Sequence, residues 1–285
     1  MNILIIGKNS YIGNHIENWL STYDYCVRQL DVLNEDWRVF DYSPYHSIIH
    51  VAGIVHQPQC IDWELYQKVN AEMPVEIATI AKFQGVKQYV FLSTMGVYGI
   101  DKQLYSNLIN HNTPLHPETM YGRSKLMAEQ GLKELQDSLF NVVCIRPPSV
   151  YGKGCRGGYI TGFTKIASLL PFIPLAFQNV KQSFIYIDNL CELVRLLIEN
   201  NSSGIYCPQD DKSPNASELL KAISVGLGKS YKESRVLGFF LRLLSFIPLV
   251  KKAYGGIEYD RSLSDIPGFD YVIVPFEEGI KRTII

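Results

Sequence analysis

The chain has 285 residues, 47% of them hydrophobic, enough for one large domain, or one and a half, with a sizeable core. Its 27 basic and 28 acidic residues nearly cancel and no basic block stands out, so the electrostatic footprint of a nucleic-acid binder is missing. Six scattered cysteines (Cys26, Cys60, Cys144, Cys155, Cys191, Cys207) form no close pairs, which fits free thiols in a reducing compartment better than a disulfide framework or a zinc site.

The first apolar run, "NILII", begins at Asn2 without a charged leader or cleavage site, so no secretory signal is expected and a cytoplasmic setting is. It reads as a buried strand. "GKNSYIG" follows, and then "NHIENWL" with helical spacing. A glycine-rich turn between a first strand and a first helix is where nucleotide phosphates bind, through backbone amides and the helix dipole. Gly7, Asn9, Ser10, Tyr11, Ile12 and Gly13 are therefore candidate cofactor-binding residues. Ser10 stands where a middle glycine is wanted, and its hydroxyl could cap the helix or meet a phosphate oxygen. No Gly-Lys-Ser/Thr follows, which excludes a P-loop.

"YCVRQL" is the second strand, and Asp31 ends it. A carboxylate at this distance grips an adenosine ribose and favours NAD over NADP, or else it is a helix cap or a solvated loop carboxylate. "SIIHVAG" is a third strand. "LYQKVNAEMPVEIATIAKFQGV" has helical spacing and a stopping glycine. "YVFLST" is a fourth strand, whose end carries Ser93 and Thr94; their hydroxyls could bond a substrate oxygen or serve simple turn chemistry.

"YGRSKLMAEQGLKELQ" puts Tyr121 and Lys125 four apart, on one face of a helix. An ammonium one turn from a phenol favours the phenolate and lowers its pKa toward useful base strength. Such a pair also arises by chance in many helices, so its weight comes from the surrounding sheet. "NVVCIRP" is the fifth strand. Strands alternating with helices predict an α/β fold with a doubly wound parallel sheet, ligands binding at the strands' carboxyl ends.

Past about residue 152 the rhythm breaks, and it returns as strand then helix in "SFIYIDNLCELVRLLIEN". The expected division is a nucleotide domain of residues 1–152 plus about 181–206. A smaller substrate lobe takes about 153–180 and 207–285. The apolar runs 166–177 and 236–252 are too interrupted to span a membrane. The second reads as a core helix of the smaller lobe, with an interfacial membrane helix as the sharper alternative. The six histidines show no metal-ligand pattern, so no metal is expected; His50 is expected to pack in the sheet, and Trp19, Trp37 and Trp63 to serve packing.

Taken together, "GKNSYIGNH", "SIIHVAG", Asn70 in "YQKVNAEMP", "FLSTMGVYG", "YGRSKLMAE", "RPPSVYGKG", "FIYIDNLCELV" and "GIYCPQD" resemble, in order from 7 to about 206, an extended short-chain dehydrogenase/reductase of the NAD-dependent epimerase/dehydratase family. The resemblance implies a Rossmann-like fold with bound NAD, NADP being the alternative. It implies that Thr94 and Tyr121 are catalytic, with Tyr121 as general acid/base. Lys125 would lower the Tyr121 pKa and hold the nicotinamide ribose. Val51, Ala52 and Gly53 would line the cofactor, Asn70 would brace it, and Ser93, Pro147 and Pro148 would lie beside it. Implied partners are a nucleotide-diphosphate sugar and no nucleic acid; a homodimer paired through a helix bundle, as in many relatives, stays open.

Three departures stand out: Ser10; a short stretch from Asp31 to "SIIHVAG", in which Asp31 and Val32 could contact adenine instead of ribose; and Gln182, where relatives often carry an arginine for the sugar diphosphate, with Lys181 as a stand-in. Met95 and Gly96 replace the Asp–Glu pair of 4,6-dehydratases and cannot do acid/base work, which disfavours that reaction. What is expected is a 4-epimerase of surface polysaccharide biosynthesis. A 4-ketoreductase is the alternative, and a silent NAD(P)-binding scaffold is the alternative of another class.

Overall fold

The computed structural model describes residues 1–55, 62–100, 102–155 and 158–284, so His56 and Cys60 fall outside it. The chain divides into two compact units. The first is Met1–Gly99, Pro114–Pro147 and Leu190–Cys207; the second is Ile100–Thr113, Pro148–Asn189 and Pro208–Ile285.

The first unit is built on β1 (Asn2–Ile6), β2 (Cys26–Leu30), β3 (Ser47–His50), β4 (Gln88–Leu92), β5 (Asn141–Ile145) and β6 (Gly204–Tyr206). They form one parallel sheet in the order β6-β5-β4-β3-β1-β2. The five strands expected from the apolar runs are the first five of these. From β1 the chain steps outward to β2 and then returns to β3 on the other side. That reversal makes the carboxyl end of β1 the switch point where ligands bind in such sheets.

The central strands read as unbroken apolar runs because helices cover both faces: Ile3, Leu4, Ile5 and Ile6 have no exposed surface. Helices α1 (Tyr11–Leu20), α2 (Met73–Phe83), α3 (Met120–Leu135) and α4 (Ile187–Glu199) connect the strands, and a π-helical turn, Gln67–Glu72, precedes α2. Leu4, Ile48, Ile77, Phe91 and Leu132 share one core cluster, each such side chain contributing about 1.5–3 kcal/mol.

No strand forms between β2 and β3. Residues 31–46 instead run as turns anchored by buried Trp37 and Tyr42, the Tyr42 hydroxyl donating to the Trp37 carbonyl at 2.7 Å. His50 packs within the sheet as expected, its Nδ1 2.6 Å from the Tyr89 hydroxyl.

In the second unit three short parallel pairs form: Ser149–Tyr151 with Phe184–Tyr186, Phe172–Pro174 with Lys232–Ser234, and Leu108–Ile109 with Glu258–Tyr259. Buried Asp210 is its polar centre, receiving the Tyr151 hydroxyl at 2.7 Å and the Tyr186 amide at 2.9 Å. The run 236–252 is not a core helix. Helix Arg235–Leu243 leaves Val236, Phe239, Phe240 and Leu243 exposed, because the residue it turns inward is Gly238.

Candidate active site

The turn after β1 is held by backbone geometry that only glycine permits at its first position. Gly7 has φ +118°, and a Cβ there would stand 2.8 Å from the Ala52 nitrogen, so β1 and the end of β3 could not close up around any other residue. The amides of Val51 and Ala52 both bond the Ile6 carbonyl, at 3.0 and 2.9 Å, which brings that segment against the turn. Asn9 takes a left-handed φ of 63°, its amide donating to Gln29 Oε1 at 3.0 Å. Ser10 is the N-cap of α1, its Oγ accepting the Gly13 amide at 2.8 Å. Of the two roles open to that serine, the cap is the one in place. Tyr11 and Ile12 are half-buried in the first turn of α1, the Tyr11 ring 4.6 Å from that of His15.

Asn70 reaches back from the π-helical turn. Its Oδ1 accepts the Ile54 amide at 2.7 Å and its Nδ2 donates to the Ile54 carbonyl at 2.9 Å, clamping the backbone just past Gly53. A second Nδ2 bond, 3.2 Å to Ser124 Oγ, ties this clamp to α3. Asp31 is engaged in its own turn, accepting the Leu33 amide at 3.1 Å and Asn34 Nδ2 at 2.8 Å; both bonds hold its carboxyl below the usual range. Val32 packs against the core cluster.

At the end of β4 the two hydroxyls part. Ser93 is buried and its hydroxyl donates to Glu129 of α3. Thr94 is half-buried and hydrogen-bonds the Tyr121 side chain. Thr119 caps α3, its Oγ1 accepting the Gly122 amide at 3.0 Å, and so starts the helix one residue before Tyr121. One turn on, Lys125 is fully enclosed. Its Nζ donates to the Leu92 carbonyl at 2.8 Å, lies 4.4 Å from the Phe91 ring centroid, and stands 3.4 Å from where a Cβ on Gly53 would be.

Burial pushes the Tyr121 phenol up to about 12, against the lowering effect of Thr94, and pulls Lys125 down to about 7, against the raising effect of Glu129. Thr94 is the group that lowers the phenol. Pro147 and Pro148 are buried, and the Pro147 carbonyl accepts the Met95 amide at 3.0 Å, fixing the chain beyond Thr94.

Sequence reasoning missed the support behind these residues. Arg146, at the end of β5, grips Glu129 with Nη2–Oε2 at 2.6 Å and Nε–Oε1 at 3.1 Å, and its Nη1 donates to the Tyr98 hydroxyl at 3.0 Å. A signal was available: Glu129 follows Lys125 by four on the buried face of α3, and Arg146 interrupts an apolar strand end.

Gln182 is buried, its side-chain nitrogen donating to the Ser183 carbonyl at 3.0 Å. Lys181, Lys212, Lys221, Arg261 and Lys281 line a cavity of about 1170 Å³ that belongs wholly to the second unit and shares no residue with the Thr94–Tyr121–Lys125 group. Among the described residues no cluster of side chains could hold a metal ion.

These residues fit a dinucleotide. The Gly7 turn puts no side chain between β1 and the first turn of α1, where amides and the helix dipole meet an anion. The sequence model of the NAD dependent epimerase/dehydratase family matches residues 3–206. The chain is 26% identical to the UDP-glucose 4-epimerase of Vibrio cholerae over 80% of its own length and 76% of the relative's. It is 23% identical to the N-acetyl-alpha-D-glucosaminyl-diphospho-ditrans,octacis-undecaprenol 4-epimerase of Escherichia coli O157:H7, over 99% of its own length and 94% of the relative's. The crystal structure of UDP-glucuronic acid 4-epimerase from Bacillus cereus in complex with NAD superposes with a TM-score of 0.72 at 18% identity, covering 99% of this chain and 95% of that one, a likeness of fold.

Proposed function

The chain belongs to the NAD-dependent epimerase/dehydratase family, and from that premise we propose that it is an NAD-dependent 4-epimerase of a sugar joined to a diphosphate, acting in surface polysaccharide biosynthesis. The observation that carries the reading is that Thr94, at the carboxyl end of β4, acts on the Tyr121 phenol, while Lys125, one helical turn on, is enclosed against the end of the same strand. Gly7 and the first turn of α1 would hold the pyrophosphate, and the 51–53 segment clamped by Asn70 would line the rest. Bound NAD supplies a hydride acceptor and then a donor at carbon 4.

Tyr121 handles the proton of the carbon-4 hydroxyl. Thr94 orients that oxygen and favours the phenolate, offsetting part of the burial that pushes the phenol up to about 12. Lys125 contributes a positive charge one turn away while it is protonated, and burial sets that proton's loss near pH 7. Glu129 and Arg146 keep the end of β4 and α3 in register, so that Thr94 and Tyr121 meet. The relative matched along nearly the whole chain carries, by its name, its sugar on undecaprenol diphosphate, which supports a sugar diphosphate as substrate without selecting its carrier.

A second reading, a 4-ketoreductase that exchanges its cofactor at every turnover, is favoured by one observation. The sheet ends at β2, and residues 31–46 add no strand with which to enclose the adenosine half.

The test is to denature purified protein, identify the released nucleotide by ultraviolet spectrum and mass, and incubate native protein with UDP-glucose and UDP-N-acetylglucosamine while following carbon-4 inversion by NMR. Tightly held NAD with inversion supports the epimerase. An empty site that binds reduced cofactor reversibly supports the reductase. No affinity for either cofactor would leave the non-catalytic scaffold.

A further inference from the structure

Between Lys229 and Lys252 the chain carries six basic residues and one acidic residue, although the whole protein has a net charge of −1. Lys229, Lys232 and Arg235 precede the apolar run and Arg242, Lys251 and Lys252 lie within it, so they form no single block in the sequence. The single acid, Glu233, is paired with Lys221 at 2.7 Å, while Lys232, Arg235, Arg242, Lys251 and Lys252 make no ion pair among the described residues.

Helix Arg235–Leu243 lies within this stretch, capped by Ser234, whose Oγ accepts the Leu237 amide at 3.1 Å. Its inward contact is Gly238. A Cβ there would stand 2.1 Å from the Leu175 carbonyl oxygen, so the helix rests its bare backbone on the chain beside it. Val236, Phe239, Phe240 and Leu243 follow the i, i+3, i+4, i+7 pattern, which gathers them into an arc of about 100°. They are 66, 59, 55 and 56% exposed. In a surface helix such a stripe ordinarily faces the core; here a glycine holds that side and the stripe faces out.

The exposed stripe does not end with the helix. Phe246 and Leu249 continue it at 78 and 72% exposure. The pairing of Phe172–Pro174 with Lys232–Ser234 brings in exposed Leu169, Leu170 and Phe172 from the same unit. A helix of nine residues is about 13 Å long against a bilayer core of about 30 Å, so it cannot cross one; none of the described helices is long and apolar enough to do so.

We propose that this face is an interfacial docking surface that seats the protein on an anionic lipid bilayer. Phe239, Phe240 and Phe246 enter the boundary between headgroups and acyl chains, while Arg235, Arg242 and Lys252 meet lipid phosphates. Charge selects the occupant. A second copy seated face to face would oppose two cationic rims, whereas an anionic membrane complements them. The inference does not depend on the reaction proposed above.

The test is co-sedimentation of the full chain with vesicles of phosphatidylcholine alone and of phosphatidylcholine containing phosphatidylglycerol, at low and high salt. Binding to the anionic vesicles is expected, weakening about tenfold or more at high salt. The variant Phe239→Ser/Phe240→Ser/Phe246→Ser should lose binding while keeping the wild-type melting temperature, since all three side chains are already exposed. The variant Arg235→Gln/Arg242→Gln/Lys252→Gln should lose only the preference for phosphatidylglycerol. Wild-type protein left in the supernatant with anionic vesicles overturns the proposal, and so does a triple-serine variant that binds as well as the wild type. A wild-type dimer that the triple-serine variant dissociates, with no vesicle binding, would assign the face to a second copy.

Discussion

Arg146, from the end of β5, holds Glu129 of α3 in a buried two-pronged ion pair, with Nη2–Oε2 at 2.6 Å, and the same carboxylate receives the Ser93 hydroxyl. Three segments that carry the candidate chemistry are thereby locked together behind it. Breaking one side of such a pair strands a buried charge. Glu129→Leu or Arg146→Met should each destabilise the protein by about 3–5 kcal/mol in urea unfolding. The double variant Glu129→Leu/Arg146→Met should recover most of that loss, because two apolar groups leave no charge behind. If the double loss equals the sum of the singles, the pair is not acting as a unit.

The Tyr121 hydroxyl is the group on which the proposed proton transfer rests. Tyr121→Phe keeps the ring in its half-buried place and removes only the acid, so kcat should fall by about 100-fold or more while cofactor affinity stays within about twofold. Single-turnover kinetics together with titration calorimetry measure both quantities. Turnover that survives the change would remove Tyr121 from the mechanism.

At position 10 the serine works as a helix cap. Ser10→Ala should cost about 1 kcal/mol of unfolding free energy, whereas Ser10→Gly should cost only a few tenths, since glycine is itself a tolerated cap. A Ser10→Ala variant as stable as the wild type would mean that the Oγ bond to Gly13 contributes nothing.

Lys125 makes stability depend on pH in a definite direction. Its native pKa, about 7, lies below the ordinary 10.5, so between those values the unfolded chain binds a proton that the folded chain does not. The cost of burying the ammonium is full below about pH 7 and is relieved as pH rises toward 10. Wild type should therefore gain stability relative to Lys125→Met across that window. Parallel pH profiles for the two proteins would show that Lys125 titrates normally.

Much of the first unit could be read from local patterns. The runs that became β1 to β5 were visible because a strand buried on both faces must be apolar throughout, and the Tyr121–Lys125 spacing was visible because one helical turn is a local matter. Less legible was the behaviour of the second unit. Its strands are two or three residues long, too short to show any period, and the fate of the run 236–252 turned on a single inward glycine.

By itself the sequence determined five of the six parallel strands, the glycine turn after β1 and the one-face placement of Tyr121 with Lys125, because each depends on neighbours within a few residues. The tertiary structure alone decided which hydroxyl at the end of β4 turns to Glu129 and which to Tyr121, and that Arg146 closes the ion pair behind them. It also decided that Ser10 caps α1 and that the stripe of Val236, Phe239, Phe240 and Leu243 faces outward. The physical reason is common to all of these. Hydrogen bonds, burial and charge are settled by what lies across space, and periodicity along the chain carries no record of the partner.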